Sequence, residues 1–324
     1  MKTFVTGSTG FIGKYLVRAL LGKNREVRCL VRRESAIEEF KKAGAEIVVG
    51  DLLDKDSLKK AVQGIHVMYH LAGEVYTKRC GDFFTTNVLG TKNLLDASLS
   101  GTVEKIIHLS SIAAVGPNPD RNTLLTEETP CNPITTYGKS KYEGEQAALA
   151  YFHTFGLPVV CIRPPTVYGP GQPEILDSFF KNVYRQRILV AGAGTCLRSL
   201  CYIDNVIHGL MLAEENEKAK GKIFFIADEK VYTFNEILRT IAREEGVEFS
   251  EKHIGAWAGE LSLATFQLLE RVLKVSLMPL YAMGTMVINL GCDIAKAKNE
   301  LGYYPHINLQ EGVRRTIQSL HLSK

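Results

Sequence analysis

The stretch Lys2-Thr-Phe-Val-Thr-Gly-Ser-Thr-Gly-Phe-Ile-Gly13 decides the fold. Its first five residues make a short apolar run that breaks at Gly7 into a glycine-rich turn, and the turn opens an amphipathic segment, Phe11–Leu21. Strand, glycines and helix in that order are what a pyrophosphate requires. Gly7 permits the tight turn, Gly10 lets a phosphate approach the backbone, and Gly13 lets helix and strand pack closely. The first helical turn offers unpaired N–H groups at the positive end of the helix dipole. The segment predicts a dinucleotide site made by Gly7, Thr9, Gly10, Phe11, Ile12 and Gly13.

The same alternation continues outward. Glu26–Val31, Glu46–Val49, His66–His70, Lys105–Leu109 and Pro158–Ile162 read as short buried strands, and Asp56–Val62, Thr86–Leu99 and Tyr137–Phe155 as helices between them. Such a pattern predicts an α/β fold, a doubly wound parallel sheet with helices on both faces. After Arg163 the pattern loosens through Pro164, Pro165, Gly169, Pro170, Gly171 and Pro173, which mark a long irregular connection. Ile223–Ile226 reads as a late strand returning to the sheet. Thr233–Glu245, Trp257–Lys274, Asp293–Leu301 and Leu309–Leu320 read as helices outside it. The expected organisation is a dinucleotide-binding unit of residues 1–168 with 201–227, and a smaller discontinuous substrate lobe of 169–200 with 228–324.

Composition narrows the function classes. Hydrophobic residues at 45% and charged residues at 23% of 324 are ordinary for a globular chain. Net charge is +4 and no block of like charges occurs, so nothing supports a nucleic-acid or membrane-surface role. The most apolar region, around Leu261–Leu290, is interrupted by Glu270, Arg271 and Lys274, so no membrane span is expected. The seven cysteines are scattered, without C-x-x-C or a Cys/His cluster, which predicts reduced thiols, no metal and a cytoplasmic setting. No signal peptide is expected before the first strand.

Chemistry enters with Tyr137-Gly-Lys-Ser-Lys141, which places a phenol one helical turn from an ammonium. A free tyrosine titrates near pH 10, roughly, and a neighbouring cation is expected to lower that value and make the phenol a usable acid and base. The run Lys105-Ile-Ile-His-Leu-Ser-Ser-Ile112 is a strand ending in two hydroxyls, Ser110 and Ser111.

With the G-x-x-G-x-x-G spacing of the loop, these motifs resemble the extended short-chain dehydrogenases/reductases, the group that includes the NAD-dependent epimerase/dehydratase family. Gly50-Asp51-Leu52, His70-Leu71-Ala72-Gly73, Asn87-Val-Leu-Gly-Thr91, Arg163-Pro-Pro-Thr-Val-Tyr-Gly-Pro170 and Asn299-Glu-Leu-Gly-Tyr303 resemble further family signatures in the expected order. The resemblance implies a catalytic set of Ser111, Tyr137 and Lys141. It also implies cofactor contacts from Asp51, Leu52, Leu71, Ala72, Gly73, Asn87, Tyr137, Lys141 and Pro164. The second strand ends Val31-Arg32-Arg33 with no carboxylate to take a ribose 2′-hydroxyl. A guanidinium suits a 2′-phosphate, so Arg32 favours NADP over NAD.

The resemblance implies hydride transfer between a nicotinamide and a carbinol carbon, with Tyr137 handling the hydroxyl proton. Ser110-Ser-Ile-Ala-Ala-Val-Gly-Pro-Asn118 and Tyr202-Ile-Asp-Asn-Val206 are similar to the 3β-hydroxysteroid dehydrogenase and dihydroflavonol reductase branch. The leading expectation is therefore an alcohol dehydrogenase or ketone reductase with a fairly apolar small-molecule substrate. Gly194-Thr-Cys-Leu-Arg198 resembles a loop that clamps a sugar-nucleotide diphosphate, which keeps a nucleotide-sugar epimerase/dehydratase open as the alternative. A cofactor-binding regulatory or assembly protein is the second alternative, disfavoured because Tyr137 and Lys141 are both retained. Thr166, Arg198 and Ser111 are the expected substrate contacts. The stretches Asn87–Leu99 and Tyr142–Phe155 could pair two subunits as a homodimer, as is common in the family.

Overall fold

The computed structural model describes residues 1–32, 38–120, 123–248, 250 and 252–322. Seven strands form one wholly parallel sheet: β1 (Lys2–Thr6), β2 (Glu26–Val31), β3 (Glu46–Val49), β4 (Val67–His70), β5 (Lys105–Leu109), β6 (Val159–Arg163) and β7 (Ile223–Phe225). Their order is β7-β6-β5-β4-β1-β2-β3. The chain winds outward from β1 in one direction and then, through β4, in the other. The two windings part between β1 and β4, leaving a crevice at the carboxyl ends of those strands.

Strands sandwiched on both faces must be apolar throughout, and β6 is buried at all five positions. Helix α1 (Phe11–Gly22) and the helix Ile203–Glu215 cover one face, where Val5, Leu16, Leu20, Val206 and Leu210 belong to one core cluster. Lys55–Ala61, Thr91–Ser98 and α2 (Thr136–Phe155) cover the other, around Phe4, Leu58, Leu94, Ile106 and Ala148. Helix α2 starts at Thr135, whose hydroxyl accepts from Gly138 N–H, and ends at Gly156, held left-handed at φ 70°.

Several elements depart from the sequence reading. The expected helix Thr86–Leu99 begins earlier, at Cys80–Phe84, passes through a π turn over Thr85–Gly90 and resumes at Thr91–Ser98. The extra residue in that turn has no periodic signature. The connection after Arg163 is less irregular than its prolines and glycines imply. It contains the strand Thr166–Tyr168, paired with Leu200–Tyr202, and the helix Glu174–Tyr184. The first proline of Pro170–Pro173 ends one element and the last caps the next, so punctuation dense enough to read as loop leaves room for both. The helix Ile203–Glu215 begins directly after Tyr202 and was not anticipated. Among the described residues the last apolar region forms two packed helices, α3 (Ala256–Val272) and α4 (Met278–Thr285).

The glycine turn gives the fold its most sensitive contact. A Cβ on Gly13 would stand 2.0 Å from the Gly7 carbonyl oxygen, whereas one on Gly22 would meet nothing within 4 Å. Gly13→Ala is expected to cost about 1–3 kcal/mol or more, because backbone must move. Gly22→Ala, in the same helix, is expected to gain a few tenths to about 1 kcal/mol. Urea unfolding of the two variants checks the contrast.

Candidate active site

At the crevice the loops after β1 and β4 lie against each other. Gly7 has φ 71°, and a Cβ there would come within 2.6 Å of Ala72 N. Gly10 caps α1 without a side chain, no other side chain caps that end, and no acidic residue occupies the first turn. Thr9 and Gly10 are exposed, and Phe11 and Ile12 partly so. An uncapped twelve-residue helix beside a cradle that any Cβ would crowd fits a pyrophosphate.

Behind this cradle runs a chain of hydrogen bonds whose polarity can be worked out. Thr91 Oγ1 donates to the Asn87 carbonyl at 2.8 Å, so it accepts from His70 Nε2–H at 2.9 Å. His70 Nδ1 is then the bare nitrogen and accepts from Thr6 Oγ1 at 2.8 Å, while Thr6 Oγ1 accepts from Ala72 N–H at 3.2 Å. The imidazole is neutral in this chain. Burial pulls its pKa down to about 3, with the Lys141 ammonium acting in the same direction. His108, its ring tilted against His70 at 5.2 Å, is also held far below the ordinary value by burial.

Ser111 closes β5 in an extended conformation and accepts from Ala113 N–H at 3.2 Å. Because the oxygen is used as an acceptor there, its hydroxyl hydrogen remains available to donate. Ser110 Oγ is buried without a hydrogen-bond partner among the described residues and offers no such geometry. Tyr137 sits in the first turn of α2 with its ring edge-on to Phe83 at 5.8 Å. Lys141, one turn on, is buried, and its Nζ donates to the Leu109 carbonyl at 2.6 Å. The expected lowering of the Tyr137 pKa is not what this arrangement gives. Burial raises it well above the ordinary phenol range, the Ser111 hydroxyl pulls the other way, and the phenols of Tyr76 and Tyr281 reinforce burial. The ammonium is instead shared with a carbonyl, and burial brings Lys141 down to about 8 while Glu145 opposes.

The C-terminal helices roof this cluster. Tyr281, on α4, is near both Tyr137 and Arg198. The Arg198 guanidinium is desolvated, which lowers its pKa, and its Nη2 is buried without a hydrogen-bond partner among the described residues. Glu270, on α3, accepts from Thr136 N–H at 2.8 Å and so caps the catalytic helix from outside. Neither Tyr281 nor Glu270 stood out in sequence, since a phenol or carboxylate in an apolar helix carries no motif.

The remaining expected contacts are distributed as follows. Asp51 is partly exposed and accepts from Leu53 N–H at 2.9 Å. Leu52 is buried, and its carbonyl accepts from Asn93 at 3.0 Å. Leu71, Ala72 and Gly73 line the β4 turn, with Gly73 facing Asn87 and Lys141. The Asn87 side chain is fully engaged by protein, accepting from Glu74 N–H and donating to the Glu74 carbonyl and Ser140 Oγ. Pro164 is buried, and its carbonyl accepts from Ile112 N–H at 2.9 Å. Arg32 is exposed beyond β2, whereas Arg33 lies outside the described residues. Thr166 is exposed in its short strand. Among the described residues no group of His, Cys, Asp and Glu could hold a metal.

A parallel sheet with a glycine turn at its switch point is the architecture of dinucleotide-binding α/β proteins. The family model of the NAD dependent epimerase/dehydratase family matches residues 3–227, and the chain belongs to that family. A 4-hydroxy-2-methyl-3-oxo-4-farnesyl-3,4-dihydroquinoline-1-oxide ketoreductase of Stigmatella aurantiaca is 28% identical over 97% of this chain and 95% of its own. The mouse sterol-4-alpha-carboxylate 3-dehydrogenase, decarboxylating, is 26% identical over 99% and 91%. Among solved structures, the UDP-glucuronic acid 4-epimerase of Bacillus cereus in complex with NAD superposes with a TM-score of 0.80, at 25% identity and full coverage of both chains.

The His70 chain sets a pH dependence. Its folded pKa, about 3, lies below the unfolded value, so the stability it confers is full above about 6.5 and drains as pH falls toward 3. Between pH 7 and pH 5 wild type is expected to lose about 2 kcal/mol through this group. In His70→Asn that loss is absent, so the gap in unfolding free energy between the two proteins narrows by the same amount. Denaturant titrations at both pH values measure it.

Proposed function

We propose that the chain is an NAD(P)-dependent oxidoreductase that interconverts a secondary alcohol and a ketone or aldehyde, on a fairly apolar small molecule. The observation that carries this reading is the convergence beyond β5, where the Ser111 hydroxyl acts on the Tyr137 phenol and Lys141, one helical turn from Tyr137, reaches the Leu109 carbonyl at the end of that strand. When bound, a nicotinamide supplies or accepts the hydride. The residues of the chain handle the rest. Gly7–Gly13 would hold the pyrophosphate. Ser111 Oγ–H would donate to the substrate oxygen, because its acceptor side already serves Ala113 N–H. Tyr137 would give or take the hydroxyl proton. A phenol whose burial disfavours the anion stays protonated at neutral pH, so it holds the proton that a developing alkoxide takes up. Residues 1–168 with 201–227 serve the cofactor in this reading, and 169–200 with 228–324 the substrate. The ketoreductase and sterol dehydrogenase relatives support the apolar substrate.

One observation favours a second reading, a nucleotide-sugar epimerase. The Arg198 guanidinium, whose Nη2 is buried without a hydrogen-bond partner among the described residues, would suit an anionic substrate group, and the Bacillus cereus relative is a UDP-glucuronic acid epimerase. Incubation with UDP-sugars and with a ketone panel separates the two. Consumption of NADPH by ketones supports the oxidoreductase, and turnover of UDP-sugars without net cofactor oxidation replaces it.

Tyr137→Phe is expected to lower kcat for ketone reduction roughly a hundred- to ten-thousand-fold, and Ser111→Ala about a hundredfold or more. Steady-state NADPH oxidation reads both, and an unchanged Tyr137→Phe rate would sink the mechanism. For the cofactor, Arg32 supports NADP over NAD. Arg32→Ala is expected to raise KM for NADPH about tenfold while leaving KM for NADH in place.

A further inference from the structure

We propose that the chain docks on anionic lipid bilayers through the outer face of α3 and the adjoining loop of residues 75–79. Helix α3 buries Gly259, Ser262, Phe266 and Glu270 against the protein and leaves a second apolar stripe turned outward, which a surface helix that only covers a core does not carry. Trp257, Leu261, Leu268 and Val272 fall on one stripe at helical spacing, and all four are exposed, Trp257 by 68% and Val272 by 63%. Over seventeen residues the stripe runs about 25 Å. Leu273 and Leu277 extend it past the helix end, at 61% and 40% exposure.

The loop is stitched to that end by backbone. Cys80 N–H donates to the Lys274 carbonyl and Ser276 N–H to the Lys78 carbonyl, around a bridge between Arg79 and Val275. The exposed Val75 and Tyr76 lie two to three residues before this stitched segment. The stitching gathers four exposed cations, Lys78, Arg79, Arg271 and Lys274, around the same end of the stripe. Glu260 is the exposed acid on the helix, one turn from Trp257 and away from the cationic end. An apolar ridge carrying a tryptophan and fringed by lysine and arginine matches the chemistry of an interfacial helix on an anionic surface. The cations come from two separate segments, which is why the sequence shows no basic run.

Position adds the second argument. Glu270, on the inner side of α3, accepts from the N–H of Thr136, the residue before Tyr137, so the helix that carries the ridge also borders the catalytic turn. A molecule dissolved in the facing leaflet would have a short path to Ser111 and Tyr137. The docking goes beyond the proposed function and stands on its own geometry, so it is tested with no substrate present.

The test is flotation of the full chain with vesicles of phosphatidylcholine, alone or containing phosphatidylglycerol. Binding is expected to be roughly tenfold or more stronger with phosphatidylglycerol and to weaken with salt. Trp257, the single tryptophan of the chain, is expected to shift its emission to the blue on binding. Leu261→Glu with Leu268→Glu is expected to abolish flotation, and Arg271→Glu with Lys274→Glu to remove only the phosphatidylglycerol dependence, both at unchanged melting temperature. No flotation with either vesicle overturns the proposal. So does a wild-type dimer in size-exclusion chromatography that Leu261→Glu with Leu268→Glu splits into monomers, since the ridge then belongs to a second copy.

Discussion

A neutral imidazole clasped between two threonine hydroxyls is the constraint on which the crevice depends. His70 ties the end of β1 to the end of β4 through Thr6, and ties β4 to the π turn through Thr91. From there the Asn87 side chain reaches both the Glu74 backbone and Ser140 on α2. Five segments are thus registered by one chain of directional bonds. Each donor in it has one place to point, so the loop that crowds Gly7 is fixed by bond polarity and not by packing alone. Gly144 completes the arrangement, because a Cβ there would stand 2.4 Å from the Asn87 carbonyl oxygen and hold α2 away.

The electrostatics of the site follow from what that registration buries. Tyr137 and Lys141 are both driven toward their uncharged forms by loss of water, in opposite directions on the pH scale. The phenol is kept as a donor, and the ammonium is brought near neutrality, where it can exchange protons. The roof contributes through Tyr281 and Glu270, which reach the catalytic helix from α4 and α3. The C-terminal helices therefore act on the chemistry through the first turn of α2.

The fold was legible in sequence where one local rule sufficed. Lys2–Gly13 stated strand, turn and helix together, and β2, β3 and β5 begin and end where the sequence reading put them. The π turn was not legible, since it is tied to residues distant in sequence, Asn87 to Glu74 and Ser140 and Thr91 to His70. Nor was the charge state of Tyr137. Spacing places Lys141 on the same helical face, but the carbonyl that accepts its hydrogen bond belongs to Leu109, on another element. Ser111 was separable from Ser110 by resemblance. The physical reason, one hydroxyl capping a turn and the other enclosed, needed the strand end in three dimensions.

The Glu145–Arg163 pair has a bearing on how variants of this chain will be read. The two side chains are fully enclosed and joined through two bonds of 2.8 and 2.5 Å, with the guanidinium over Phe225. Glu145 lies one turn beyond Lys141 and is the carboxylate that holds its ammonium up. A lost carboxylate would strand a buried cation, a defect of about 3–5 kcal/mol, and would leave the lysine less charged at the same time. In a survey of inactivating substitutions position 145 would score like a residue of the reaction centre, though its carboxylate is spent on an arginine at the end of β6. Sorting damage to the scaffold from damage to the chemistry here requires changing both members of the pair at once.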